Sequence, residues 1–135
     1  MIDKLIEANK KMAKALLEEF AEFYPFAYSL NSLAEVRNIA TMIDSETPSP
    51  LEVVKELEEV LAIAIKEYDI WAVSICLDVR IVPEGESEKS DALDIRINMA
   101  NADPLEVFVP YMLNNGEVTF SDEEVHSGAK FVEFV

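Results

Sequence analysis

The side chains whose types and spacing could support chemistry are two Asp–Arg alternations in the second half of the chain. Asp78 and Arg80 form one, and Asp94 and Arg96 form the other, with Asp91 nearby. Two carboxyl groups at a defined separation in a cleft can act as acid and base, as in glycoside hydrolysis. Because an arginine accompanies each aspartate and neutralises it, the pattern favours ion pairs over acid–base catalysis.

The other reactive residue types are sparse. Cys76 is the only cysteine and His126 the only histidine, and they lie far apart in the sequence. A thiol nucleophile needs a neighbouring base, and a zinc site needs further cysteine or histidine ligands. The three glycines are scattered and cannot form a phosphate-binding loop. We therefore expect no enzymatic activity, no metal and no cofactor, with Cys76 packed in the protein and His126 in an exposed loop.

The charge indicates which partners the protein can bind. The chain carries 27 acidic and 11 basic residues, a net charge of −16 at pH 7. The first 14 residues sum to +2 and the remainder to −18. Such a surface repels nucleic acids and anionic membranes, whereas it accelerates encounter with a basic protein. Solubility alone is the simpler explanation of the same charge, and the sequence leaves both open.

Length and apolar content predict one globular domain over residues 1–135. Half of the 135 residues are apolar, which is typical of a chain that folds around a core. No uncharged apolar stretch approaches the roughly 18 residues of a membrane-spanning helix. The N-terminal segment MIDKLIEANKKMAKALLEEF carries charges throughout, unlike the apolar centre of a signal peptide. We therefore expect a cytoplasmic protein.

The first half of the chain predicts two helices separated by a β-hairpin. Apolar residues recur at three- and four-residue spacing over 2–22, and Pro25 ends that helix. A helix over about 50–68 begins with a capping box in which Ser49 precedes Pro50 and Glu52. The hairpin is predicted from segments 25–30 and 35–43, with its turn at Asn31 and Ser32.

The second half predicts strands. Residues 70–82 and 91–99 alternate strictly, and a polar loop over 83–90 joins them. Further strands are expected over 105–113 and 117–120, joined by a turn at Asn114-Asn115-Gly116. The tail AKFVEFV is a candidate for an additional strand, and residues 121–129 for a short helix. The order α-β-β-α-β-β-β predicts an α+β fold, with two helices on one face of a mostly antiparallel sheet of five to six strands.

Pairing the two alternating strands along their apolar faces predicts a charge ladder. In that antiparallel register Ile75 faces Met99, Asp78 faces Arg96 and Arg80 faces Asp94, so both faces are satisfied together. Such a ladder consists either of surface ion pairs worth about 0–1 kcal/mol each or of a patch that recognises a partner.

Three further features are candidates for partner binding. Tyr111 follows Pro110, which we expect at a sheet edge or bulge, so its ring is expected to be exposed. The polar loop between the alternating strands is either a solvated hairpin tip or a docking loop for a basic protein. An aromatic run beside the first helix is expected to be core, with a ligand pocket as the alternative. The loop residues are Glu84, Glu86 and Glu88, and the aromatic residues are Phe20, Phe23, Tyr24, Phe26 and Tyr28.

The element order is similar to that of profilin-like and roadblock-like folds, in which helices sandwich a five-stranded sheet. The segments FYPFAYSL, DVR, SDAL and VPYML resemble those of small, acidic bacterial α+β proteins of the immunity-protein type. That resemblance implies a non-enzymatic protein-binding module that neutralises a basic partner. The alternative is a profilin- or roadblock-like scaffold that forms a homodimer or holds a small ligand.

Overall fold

The computed structural model of the protein describes residues 1–40 and 47–134. Within these residues it consists of two helices and a seven-stranded antiparallel sheet, which confirms the predicted α+β class and adds a strand to the expected sheet. The elements are α1 (Ile2–Phe20), β1 (Phe26–Leu30), β2 (Val36–Ile39), α2 (Pro50–Glu67), β3 (Ala72–Ile81), β4 (Ser90–Met99), β5 (Ala102–Asn114), β6 (Glu117–Phe120) and β7 (Glu124–Ser127).

Local backbone chemistry sets the helix ends. Helix α1 stops just before the predicted end, because Ala21 adopts a left-handed conformation (φ 65°) and its N–H donates to the Leu17 carbonyl at 2.8 Å. The predicted cap of α2 is confirmed, since the Ser49 hydroxyl oxygen accepts from the Glu52 backbone N–H at 3.2 Å.

Both predicted hairpins of short strands form. Strands β1 and β2 pair from Ala27–Ile39 to Leu30–Val36, while the predicted extension of the second strand over 41–43 lies outside the described residues. Strands β5 and β6 join through Asn115 (φ 52°) and Gly116 (φ 79°). Two consecutive positive φ values match the twist of a two-residue hairpin turn, which is why Asn-Gly is favoured there.

The strands lie in the order β2-β1-β3-β4-β5-β6, and β7 pairs with β5 as well. The outer edge of β5 therefore pairs with β6 over 111–114 and with β7 over 105–108. The predicted strand in the tail AKFVEFV is wrong, and so is the helix over 121–129, because β7 lies within that segment. Pro110 lies between the two paired stretches rather than on an edge strand, and its carbonyl accepts from the Ser121 N–H at 2.8 Å.

The two helices cover opposite faces of the sheet, so the prediction that they share one face is wrong. Helix α1 packs in a cluster with Cys76, while α2 packs in a second cluster with Val73 and Ile75. Successive residues of a strand point to opposite faces, which separates these two clusters. We call the two sides of the sheet the α1 face and the α2 face.

The register between β3 and β4 differs from the prediction by three residues. Met99 pairs with Ala72 rather than with Ile75, and Asp78 pairs with Leu93. An odd offset exchanges the faces of one strand relative to the other. This register is stable because both faces are covered. The apolar set of β3 packs under α2, and the apolar set of β4 packs under α1; the latter is Leu93, Ile95 and Ile97.

Candidate functional site

The register separates the residues of the predicted charge ladder. Asp78 and Arg80 lie on the α1 face, while Asp94 and Arg96 lie on the α2 face, so the predicted Asp78–Arg96 and Arg80–Asp94 pairs do not form. Instead, Arg80 Nε lies 3.8 Å from Asp91 Oδ1. Arg96 Nε lies 3.2 Å from Asp94 Oδ2. The Asp94–Arg96 contact lies within one of the two Asp–Arg alternations, whereas the sequence did not predict the Arg80–Asp91 pair.

Tyr111 is buried, contrary to the prediction that it is exposed. It is 5% exposed and packs in the α1-face core. Its hydroxyl donates to Asp78 Oδ1 at 2.6 Å, which joins β5 to β3 across the intervening β4. Burial and the neighbouring Asp78 carboxylate raise the pKa of Tyr111 well above its usual value. The tyrosine therefore acts as a neutral donor that fixes the position of the aspartate.

Asp78 is solvent-exposed and lies among like charges. Partial removal from water raises the pKa of Asp78, and the charges of Asp91 and Glu22 raise it further, although the Tyr111 hydrogen bond lowers it. Arg80, the nearest cation along the strand, is 3.8 Å from Asp91. Asp78 is thus a carboxylate held in place by a neutral donor, in a region of negative potential.

A cleft of about 780 Å³ opens beside Asp78 at the C-terminal end of α1. Its walls are largely aromatic and proline side chains, and two of them expose much of their surface: Phe20 is 61% and Tyr24 is 54% exposed. The sequence predicts that the aromatic run of Phe20, Phe23, Tyr24, Phe26 and Tyr28 lies in the core, with a ligand pocket as the alternative. The run is divided between the two, since Phe26 and Tyr28 pack against the core. The residues that define the cleft are Leu16, Phe20, Glu22, Phe23, Tyr24, Pro48, Pro50 and Asp78.

The acidic loop, defined by Glu84, Glu86 and Glu88, joins β3 to β4, and all three side chains are exposed. The backbone N–H of Glu84 donates to Glu124 Oε2 at 3.1 Å, and the preceding Pro83 is buried. The start of the loop is therefore attached to the sheet. Asp78 lies a few residues before the loop, so the acidic loop and the cleft belong to the same end of the sheet.

A second acidic group is buried on the α2 face. Asp94 is 3% exposed, and its Oδ1 has no hydrogen-bond partner. Burial and the neighbouring Glu106 carboxyl raise the pKa of Asp94 to about 7, while Arg96 opposes the shift. Arg96 Nε also lies 3.6 Å from Glu106 Oε2. Because Asp94 is almost fully shielded from solvent and pairs with Arg96 within the protein, we assign it a structural role.

The two remaining reactive side chains, Cys76 and His126, each pack against other residues of the protein. Cys76 is fully buried, and burial raises the pKa of its thiol well above the usual value, so a reactive thiolate is disfavoured. His126 is half-exposed as expected, but it lies in β7 rather than in a loop, and its ring packs edge-on against Phe108 at 5.6 Å. Across residues 1–40 and 47–134, no three His, Cys, Asp or Glu side chains are arranged to hold a metal ion.

Comparison with known proteins found no matching family model, no similar curated protein and no similar solved structure. In the part of the chain that the structure describes, no helix has both the length and the apolar character needed to cross a membrane. The arguments for function therefore depend on the cleft, the acidic loop and the charge of the chain.

Proposed function

We propose that this protein is a non-enzymatic module that binds a basic protein partner through the sheet end that carries the acidic loop. The observation that carries the proposal is the loop itself. Three exposed glutamates project from a segment whose start is fixed by a buried proline and by the hydrogen bond to Glu124. An anchored loop loses less conformational freedom on binding than a free one, so its charges contribute more to affinity.

The charge of the whole chain supports a basic partner. A net charge of −16 produces a field that attracts a cationic protein and raises its association rate. Salt at physiological concentration screens charges beyond about 8 Å, so the attraction is salt-dependent. In its specific form, the proposal is that the protein neutralises a basic toxin in the cytoplasm, as immunity proteins do. This form rests on the resemblance of the sequence to small, acidic α+β proteins of the immunity-protein type.

The structure does not favour the scaffold alternative, because the two sequence features that motivated it, Tyr111 and the tail AKFVEFV, pack within the protein. Tyr111 is buried within the protein rather than exposed on an edge. The tail is also used internally, since Val132 is buried and Asn98 Oδ1 accepts from the Phe131 N–H at 2.8 Å. Neither feature offers a surface for a second copy of the chain, so we favour the binding module.

Charge reversal with a matched control tests the proposal. The loop variant Glu84→Lys/Glu86→Lys/Glu88→Lys and the control Glu59→Lys/Glu67→Lys/Asp103→Lys change the net charge equally, and all six side chains are exposed. Each tagged protein is incubated with native bacterial lysate at low and at high salt. We expect the wild type and the control to retain a stoichiometric basic protein at low salt and to release it at high salt. The loop variant should fail to retain it.

Two results would contradict the proposal. In the first, the wild type retains no basic protein at low salt. In the second, the loop variant and the control lose the partner to the same extent, which would show that only overall charge matters. Light scattering on the eluate separates both from self-association, because a homodimer without a partner would support the scaffold alternative.

A further inference from the structure

We propose that the cleft beside Asp78 receives an arginine side chain of the basic partner. This inference rests on the proposed function and specifies the group that the partner inserts. An arginine fits the chemistry of the site because its planar guanidinium stacks on aromatic faces and its N–H groups donate to carboxylates. The ligand must satisfy the walls of the cleft and its carboxylates together.

The walls suit the apolar stem and the planar face of arginine. Phe20 and Tyr24 line the cleft, and each exposes more than half of its surface to solvent. The ring of Phe23 packs at 5.4 Å from the ring of Phe26, which fixes that wall to the sheet. A volume of about 780 Å³ exceeds that of one guanidinium, so the cleft also admits residues beside the arginine.

The carboxylate of Asp78 is presented to the cleft in a fixed orientation. Tyr111 is buried and donates to Oδ1, which leaves Oδ2 and the second lone pair of Oδ1 as acceptors for a ligand. Glu22 also lines the cleft and adds a second negative charge. Burial is the main cause that raises the pKa of Asp78, and the charges of Asp91 and Glu22 add to it. A bound cation would relieve the repulsion among these like charges. The same charges disfavour an anionic ligand.

The test uses Nα-acetylarginine amide as a defined probe. Nα-acetylcitrulline amide is its uncharged analogue of nearly equal shape, and Nα-acetyllysine amide is a second cation. Each is titrated into the ¹⁵N-labelled protein while backbone amide shifts are recorded by NMR. We expect saturable shifts over 20–24 with the arginine probe, little change with the citrulline probe, and weaker binding of the lysine probe. Equal binding of the citrulline probe would show an apolar pocket and overturn the proposal. Equal binding of the lysine probe would overturn the assignment to arginine.

Three variants localise the effect. Asp78→Asn keeps an acceptor for Tyr111 but removes the charge, and we expect affinity for the arginine probe to fall about tenfold or more. Phe20→Ser alters an exposed wall and should also weaken binding without affecting folding. Asp103→Asn, which makes the same charge change at an exposed site away from the cleft, should bind as the wild type does. Unchanged binding by both Asp78→Asn and Phe20→Ser would overturn the proposal.

The outcomes also separate this inference from the proposed function. Suppose that the cleft binds the arginine probe, but charge reversal in the acidic loop does not affect capture from the lysate. The cleft would then remain an arginine site, and the proposed role of the acidic loop would be refuted. If capture depends on the loop but the cleft does not bind the arginine probe, the proposed binding module would stand and the proposed arginine site would be overturned.

Discussion

Replacing Asp94 with asparagine should change how the stability of the protein depends on pH. Asp94 lies within β4, is almost fully buried, and has one oxygen paired with Arg96 and one without a partner. Burial and the neighbouring Glu106 carboxyl both favour the protonated form of Asp94. Ionisation of both groups would place two negative charges side by side in a partly dry site.

The magnitude and sign follow from the pKa. Burial and Glu106 raise the pKa of Asp94 from 3.8 to about 7. Between these pH values the folded state holds a proton that the unfolded chain has released, so stability declines as pH rises from about 4 to 7. At about 1.4 kcal/mol per pKa unit, the shift corresponds to ~4 kcal/mol. Arg96 and Glu106 reach solvent, and screening there reduces the expected loss to about 2 kcal/mol.

The assay is urea denaturation at pH 5 and pH 8, followed by the fluorescence of Trp71, the single tryptophan. Asp94→Asn cannot ionise, and its amide can donate to Glu106. We expect the free energy of unfolding of the variant, relative to wild type, to rise by about 1–1.5 kcal/mol between the two pH values, since they span about two of the three pH units over which the proton is lost. Asp103→Asn, at an exposed site, should follow the wild-type profile. Parallel profiles for wild type and Asp94→Asn would refute the assignment of the proton.

Two further substitutions test the contact between α1 and the sheet and the contact at the end of β7. Asn9→Ala removes the donor that reaches the buried Ser74 hydroxyl at 2.8 Å. We expect the free energy of unfolding, measured in denaturant, to fall by about 2 kcal/mol, because the hydroxyl is left buried without its donor. The double variant Asn9→Ala/Ser74→Ala should recover part of this loss. Gly128→Ala places a Cβ 2.7 Å from the Leu105 carbonyl, so we expect a loss of about 1–3 kcal/mol and faster amide hydrogen exchange in β7. Exchange in β7 of Gly128→Ala as slow as in the wild type would contradict the close contact.

Features set by local chemistry were predictable from the sequence. Ser49 caps α2 through its own hydroxyl, and Asn115 and Gly116 form the β5–β6 turn because both adopt positive φ. Each feature involves neighbours in the chain, so residue type and spacing contain the necessary information. The strand β7 was not predictable in this way. It forms because Glu124–Ser127 pairs with Leu105–Phe108 of β5, and no local signal in SDEEVHSG specifies that pairing.

The face of each strand was not predictable in the same way. The strand signal of β3 assumed one apolar and one polar face, yet all five residues from Ala72 to Cys76 are buried. Ser74 appears polar in the sequence but is buried beside Asn9, which interrupts the apolar stripe of α1. Two polar residues that hydrogen-bond each other across a helix–sheet interface look like surface residues when each is considered alone.

The three-residue offset between β3 and β4 determines the chemistry of both acidic groups. In the predicted register each aspartate would face an arginine and lie at the surface. In the observed register Asp78 lies on the α1 face beside Tyr111, at the mouth of the cleft. The same register places Asp94 on the α2 face, where Glu106 and burial raise its pKa to about 7. One carboxylate is therefore held open for a cation, whereas the other is withdrawn from solvent, and only the pairing of the strands distinguishes them.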